Sequence, residues 1–164
     1  MDRKSSIKKI NELIKDVRIA MMTTEDEDGS LRSRPMGTQQ VEFDGDLWFF
    51  TGKDSTKVRE VNKNHQVNVS YSNPESNTYV SVSGEAQLIT DKDKMKELWS
   101  PLLKAWFPDG LDDPNLSLIK VNVEKAEFWD SPSSKMVMLV GFVKAIVTGK
   151  TYQPSDSEHQ KVKL

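Results

Sequence analysis

The chain contains no cysteine. That excludes disulfides, thiolate metal sites and a cysteine nucleophile, and it fits a reducing compartment. There are only two histidines, His65 and His159, far apart along the chain, so no metal-ligand set can be read and no metal is expected. No Gly-x-Ser-x-Gly elbow marks a serine hydrolase. No apolar run approaches the roughly 20 residues that cross a bilayer, and the opening MDRKSSIKKINELIKD is charged where a secretory signal would be apolar. A cytoplasmic protein with no membrane partner is therefore expected. An excess of positive charge is also missing. With 23 Lys and Arg against 25 Asp and Glu, the net charge is −2. A dedicated nucleic-acid binder is usually basic, so no nucleic acid is expected as partner. Neither repeats nor interdomain linkers interrupt the 164 residues, which make one domain large enough to bury an ordinary core.

What is present is a series of short alternating runs. Ser5 or Ser6 caps a first helix, residues 5–16, with Ile7, Ile10 and Ile14 on one stripe, packed on the sheet as a lid. Strands are predicted over 18–24, 31–43, 47–51, 66–72, 79–89 and 116–129. The Asp44-Gly45-Asp46 turn predicts a hairpin joining the second and third, and Gly84 a bend in the fifth. A helix over 92–106 carries Met95, Leu98, Trp99, Leu102 and Leu103 inward and is kinked or divided at Pro101. A last helix covers 135–148, with Gly149 in the C′ position. The polar segment 151–164 reads as a disordered tail beyond a single domain of residues 1–150. Six antiparallel strands with peripheral helices predict a mainly β barrel.

Two places in this pattern call for chemistry. In the second strand, alternation sets Arg32, Arg34 and Met36 on one face, so two guanidinium groups stand as neighbours and want a shared anion. Pro35 there has no N–H for a ladder, which predicts an edge position or a bulge. The other place is LWFFTGKDSTKVREVNKN, residues 47–64, a strand running straight into a short helix. Its apolar run is covered on both faces, by the protein's own core or by a second chain. Lys57 falls in the first helical turn, where the dipole already presents positive charge. A bound anion reverses that penalty, and the hydroxyls of Thr51, Ser55 and Thr56 would complete a phosphate cradle. A solvated surface lysine is the alternative reading.

Three motifs together resemble the flavin-binding split-barrel family typified by pyridoxamine 5′-phosphate oxidase. They are Arg32-Ser33-Arg34-Pro35-Met36, the corner Phe49-Phe50-Thr51 with Ser55 and Lys57 after it, and Phe128-Trp129 ending the last strand. The tract Trp106-Phe107-Pro108-Asp109-Gly110, then Asp113-Pro114-Asn115, is similar to the general stress protein subgroup in particular. The resemblance implies a six-stranded antiparallel split β-barrel and a homodimer with flavin mononucleotide (FMN) at the subunit interface, the dinucleotide FAD being the other candidate. It implies that Arg34, Ser55 and Lys57 hold the phosphate with Thr51 and Thr56, and that Arg32 and Phe50 lie in the same motifs. The backbone of Ser33, Arg34, Pro35 and Met36 would run along the ring, and Trp129 would close the site from the partner chain.

The chain also departs from that family pattern. In the oxidase an arginine and a histidine follow the tryptophan and hold the substrate, whereas here Asp130-Ser131-Pro132-Ser133-Ser134-Lys135-Met136 follows. Vitamin B6 oxidation is not expected. The resemblance implies instead a flavin-dependent oxidoreductase acting on a small molecule, with NAD(P)H as candidate reductant; the alternative is a flavin-binding or redox-sensing protein without turnover. A nucleic-acid barrel using Arg32, Arg34, Trp48 and Phe50 is disfavoured by the acidic balance.

Overall fold

Alternation governs the strands. Val67, Val69 and Tyr71 point inward along one strand and Val80, Val82 and Ala86 along its neighbour, while the serines and asparagines between them face out. The computed structural model describes residues 2–130 and 159–164. Within them the order is α1 (Arg3–Ile14), β1 (Ile19–Glu25), β2 (Leu31–Gly37), β3 (Asp46–Gly52), α2 (Thr56–Lys63), β4 (Gln66–Asn73), β5 (Thr78–Ile89), α3 (Lys92–Leu98), β6 (Leu116–Asp130) and β7 (His159–Lys163). All the strand pairs are antiparallel, in the order β2-β1-β4-β5-β6-β3, with β7 also on β6.

The helix ends follow their caps. Asp2, rather than Ser5 or Ser6, caps α1 by accepting from the Ser5 N–H, and Ile10 and Ile14 carry its stripe into the core. Asp91 caps α3, which stops before Pro101; the chain continues as a 3-10 turn, Pro101–Ala105. Met95 and Leu98 face inward as expected. Leu102 does not: it is 81% exposed, because the break at Ser100 rotates the following turn off the helical stripe.

The hairpin predicted between β2 and β3 is absent. β2 ends at Gly37 and, among the described residues, pairs only with β1, whereas β3 pairs along its whole length with β6, from Asp46 opposite Asn122 to Gly52 opposite Leu116. Two observations account for this. Phe43 is drawn into the core, its N–H bonded to the Asn11 side chain of α1, and Gly45 turns the chain at φ 119°. The expected edge position of Pro35 holds, since β2 ends the sheet. Gly84 marks a register shift between β5 and β6, and a Cβ there would stand 2.0 Å from the Asn122 carbonyl oxygen.

The apolar interior has two parts. The main cluster packs Met22, Phe49, Val61, Val69, Val82, Val121 and Phe128 with α1. A second cluster gathers Phe50, Met95, Leu98, Leu116 and Leu118 beneath α3. β3 therefore feeds both, Leu47 and Phe49 on one face and Phe50 on the other, and the chain's own residues cover both faces of that strand.

The described part of the expected tail, residues 159–164, also differs from expectation. His159–Lys163 is a strand on β6, with Val162 packed against the main cluster. Its hydrogen bonds run to the edge that β3 leaves free beyond Asn122, so a polar sequence is ordered by ladder pairing and the apolar contacts of Val162 and Leu164. The helix predicted over 135–148, with Gly149, lies outside the described residues.

Candidate functional site

Arg34 does not stand open. Its Nη2 donates to Glu60 Oε2 at 2.6 Å and its Nη1 to Thr24 Oγ1 at 2.9 Å. The Thr24 hydroxyl donates to the same carboxylate oxygen. Three elements meet here: β1 supplies Thr24, β2 the arginines and α2 Glu60. Arg32 reaches the other carboxylate oxygen at 3.8 Å and is far more exposed than Arg34. The shared anion that two neighbouring arginines require is thus supplied within the chain, by a glutamate whose side chain is 2% exposed.

Sequence reading missed Glu60. It follows Lys57 by one helical turn, beside the Val58 and Val61 stripe, and reads as a surface carboxylate. The signal that finds it is the arginine pair itself, once β2 and α2 are both laid against β1. Burial pushes the Glu60 carboxyl upward, but the hydrogen bonds from Thr24 and Arg34, with both arginine charges, hold it below the ordinary carboxylate value. Its Oε1 has no hydrogen-bond partner among the described residues.

Lys57 differs from the arginines. It is half-buried and, among the described residues, forms no ion pair within 4 Å. Burial first, then the Arg34 charge, lowers its pKa from the usual lysine value, and Glu60 only partly opposes this. At the same helix start Ser55 is the N-cap residue, yet its hydroxyl makes no capping bond; it meets Thr51 Oγ1 at 3.2 Å instead. The N–H groups that open a helix have no partner one turn back; here that of Val58 already donates to the Ser55 carbonyl at 3.1 Å, which leaves those of Thr56 and Lys57. The corner thus combines two hydroxyls, the positive end of a helix dipole and a lysine that forms no ion pair among the described residues.

The remaining candidates disperse. Thr56 is exposed, its hydroxyl 3.4 Å from Arg59. Ser33 and Pro35 lie on the exposed side of β2, Ser33 against Thr23 at 2.7 Å, while the Met36 side chain is in the main core. Phe50 packs edge-on against Trp99 in the second cluster, so only its backbone belongs to the corner. Trp129 is far away. Thr51 pairs with Ser117 on β6, and Trp129 is a dozen residues further, roughly 40 Å along the strand at about 3.3 Å per residue. It stacks on His159 of β7 at 5.1 Å and 8°, and His159 in turn meets Glu127 at 2.7 Å. A histidine does reach this tryptophan, from a part of the sequence where none was expected to matter.

An antiparallel barrel with an anion-ready strand-to-helix corner is the class that fold and site define. A model of the family described as pyridoxamine 5′-phosphate oxidase like matches residues 5–153, and the chain belongs to that family. It is 32% identical over 155 residues to Protein bli-3 of Neurospora crassa, covering 87% of this chain and 74% of that one. Its structure is similar to the general stress FMN/FAD binding protein of Xanthomonas citri, with a TM-score of 0.69 and 30% identity over 80% of this chain and 92% of that one. It is also similar to General Stress Protein 26 of Bacillus anthracis, with a TM-score of 0.67 and 26% identity over 77% and 95% of the two chains. Among the described residues, no helix is long and apolar enough to cross a membrane.

Proposed function

We propose that this chain binds a flavin through its phosphate and serves as a flavin-dependent oxidoreductase of the general stress type. The observation that carries the reading is Lys57, a half-buried cation that forms no ion pair among the described residues, at the start of α2 beside the hydroxyls of Thr51 and Ser55. A phosphate there would raise the lysine back toward its ordinary range and accept from the N–H groups of Thr56 and Lys57. Arg34, fixed through two of its donors, has N–H groups left for the same oxygens. The Xanthomonas relative, at 30% identity, supports the flavin assignment. FMN, which ends in a phosphate, suits this corner better than FAD. When bound, the flavin supplies the redox chemistry; the chain's part is to orient it and shield it from water.

The site is completed by a second copy of the chain. Trp129 cannot join the Thr51 corner of its own chain across roughly 40 Å of strand. The outer face of the sheet carries Ile19, Met21, Tyr79 and Trp129, all more than a third exposed and on the side opposite the core. Such a face suits an isologous contact. Titration of flavin-free protein with FMN tests the reading: Lys57→Ala should weaken binding by about 1.5–3 kcal/mol, the worth of a charge-assisted hydrogen bond. Unchanged affinity would remove the phosphate from this corner. Light scattering should give a dimer mass, and a monomer at micromolar concentration would leave Trp129 outside the site. Reduction of bound FMN by NADPH or NADH would support turnover, and resistance to both would favour binding or sensing alone.

A further inference from the structure

Glu60 is a buried charge that the phosphate cradle, as described, does not use. Its carboxylate lies behind Arg34, tied to Nη2 directly and to Nη1 through Thr24. A free arginine explores many rotamers, whereas this one is held on two sides by partners from β1 and α2. Arg32, on the same face but with its guanidinium 3.8 Å from Glu60 and largely exposed, lacks such a hold.

We infer that Glu60 is a positioning residue for the phosphate end of the flavin, acting through Arg34 with Thr24 as its second tie. The inference rests on the flavin-binding reading above. Glu60 accepts on the buried side of the guanidinium, so the donors left over are confined to the side away from α2's core stripe before any ligand arrives. The ordering cost of a long side chain is met in folding and not again in binding. Thr24 confers direction as well as holding: its hydroxyl proton goes to Glu60, so its lone pairs are turned to Arg34. The carboxylate's charge is also retained at neutral pH, since its partners hold it ionised despite burial.

The test compares two ligands that differ only in the phosphate. Flavin-free full-length protein is titrated with FMN and with riboflavin, by quenching of flavin fluorescence, for the wild type, Glu60→Gln, Thr24→Val, Arg34→Ala and the double variant Arg34→Ala/Glu60→Gln. Glu60→Gln should raise the FMN dissociation constant on the order of tenfold, the effect of re-ordering one long side chain, and leave riboflavin unaffected. In the Arg34→Ala background the same change should cost nothing further. Equal weakening of both ligands, or effects of Glu60 and Arg34 that simply add, would overturn the positioning role and reduce Glu60 to a fold contact. Should Glu60→Gln fail to fold by circular dichroism, the isosteric Thr24→Val must give the same phosphate-selective loss, and an unchanged FMN affinity there would refute the inference. Failure of the wild type to bind either flavin would bring down the flavin reading itself, and this inference with it.

Discussion

Replacing Arg34 by alanine should cost stability before it costs any ligand. In the native chain the guanidinium covers Glu60, whose side chain is almost fully buried. Removing one partner of a buried ion pair typically costs about 3–5 kcal/mol, because the other charge is left in a poor solvent. Arg32, already 3.8 Å from the second oxygen, can move in and offset part of this, so about 2–4 kcal/mol is expected at pH 7. That is a large share of the roughly 5–15 kcal/mol that holds a domain together. The loss should depend on pH with a definite sign. With Arg34 present the folded-state pKa of Glu60 is depressed, so its contribution is full above the ordinary carboxylate value of about 4.3 and fades as pH falls through the folded value. Without Arg34 the carboxyl loses two of the influences that lower it while burial, the largest single one, still raises it, so its folded-state value moves up and less of the preference for the ionised form remains. The gap between wild type and variant should therefore be widest near neutrality and narrow as pH falls through the variant's higher folded-state value, so that it is already smaller at pH 4.5. Urea unfolding of flavin-free protein, followed by tryptophan fluorescence at pH 7 and pH 4.5, measures both gaps. Glu60→Gln added to Arg34→Ala should recover most of the loss at pH 7. A loss under about 1 kcal/mol, or one of equal size at both pH values, would refute the account of Glu60 as a buried, dependent charge.

Two further perturbations probe the frame. Gly84→Ala places a methyl 2.0 Å from the Asn122 carbonyl; since backbone has to move, the thermal midpoint should fall by an amount equivalent to at least about 2 kcal/mol, at the upper end of overpacking costs, and an unchanged midpoint would mean that the β5–β6 shift relaxes freely. Phe49→Ala should cost about 3–5 kcal/mol in urea unfolding, whereas Leu102→Ser, at an 81% exposed position, should stay within about 0.5 kcal/mol; equal costs would put Leu102 back on a buried stripe.

The strands and the family were legible because their signals are local. Period-two alternation gave β4, β5 and β6 almost to the residue, and Pro101 marked the end of α3. What failed depends on contacts distant in sequence. The Asp44-Gly45 turn has hairpin chemistry, yet the partner of β3 is some seventy positions on, in β6, and no turn residue encodes that. β7 is polar because it lies at a sheet edge, and such a strand has the composition of a tail. The arginine pair was recognised and its need for an anion was correct, but the nearest anion proved to be Glu60. Lys57 forms no ion pair among the described residues, and Glu60 only partly offsets what burial and Arg34 take from it.

One strand joins the two apolar clusters. β6 gives Leu116 and Leu118 to the smaller cluster and Val121, Val123, Ala126 and Phe128 to the larger, and it hydrogen-bonds to β5, β3 and β7. Neither cluster can melt while the other stays intact, because each would have to release part of the same backbone. Unfolding should accordingly proceed in a single transition, with the amides of β6 that face β5 exchanging with solvent only through global opening. The fifteen residues of β6 thus act as the hinge pin of the molecule's cooperativity, and damage at either end is felt at both.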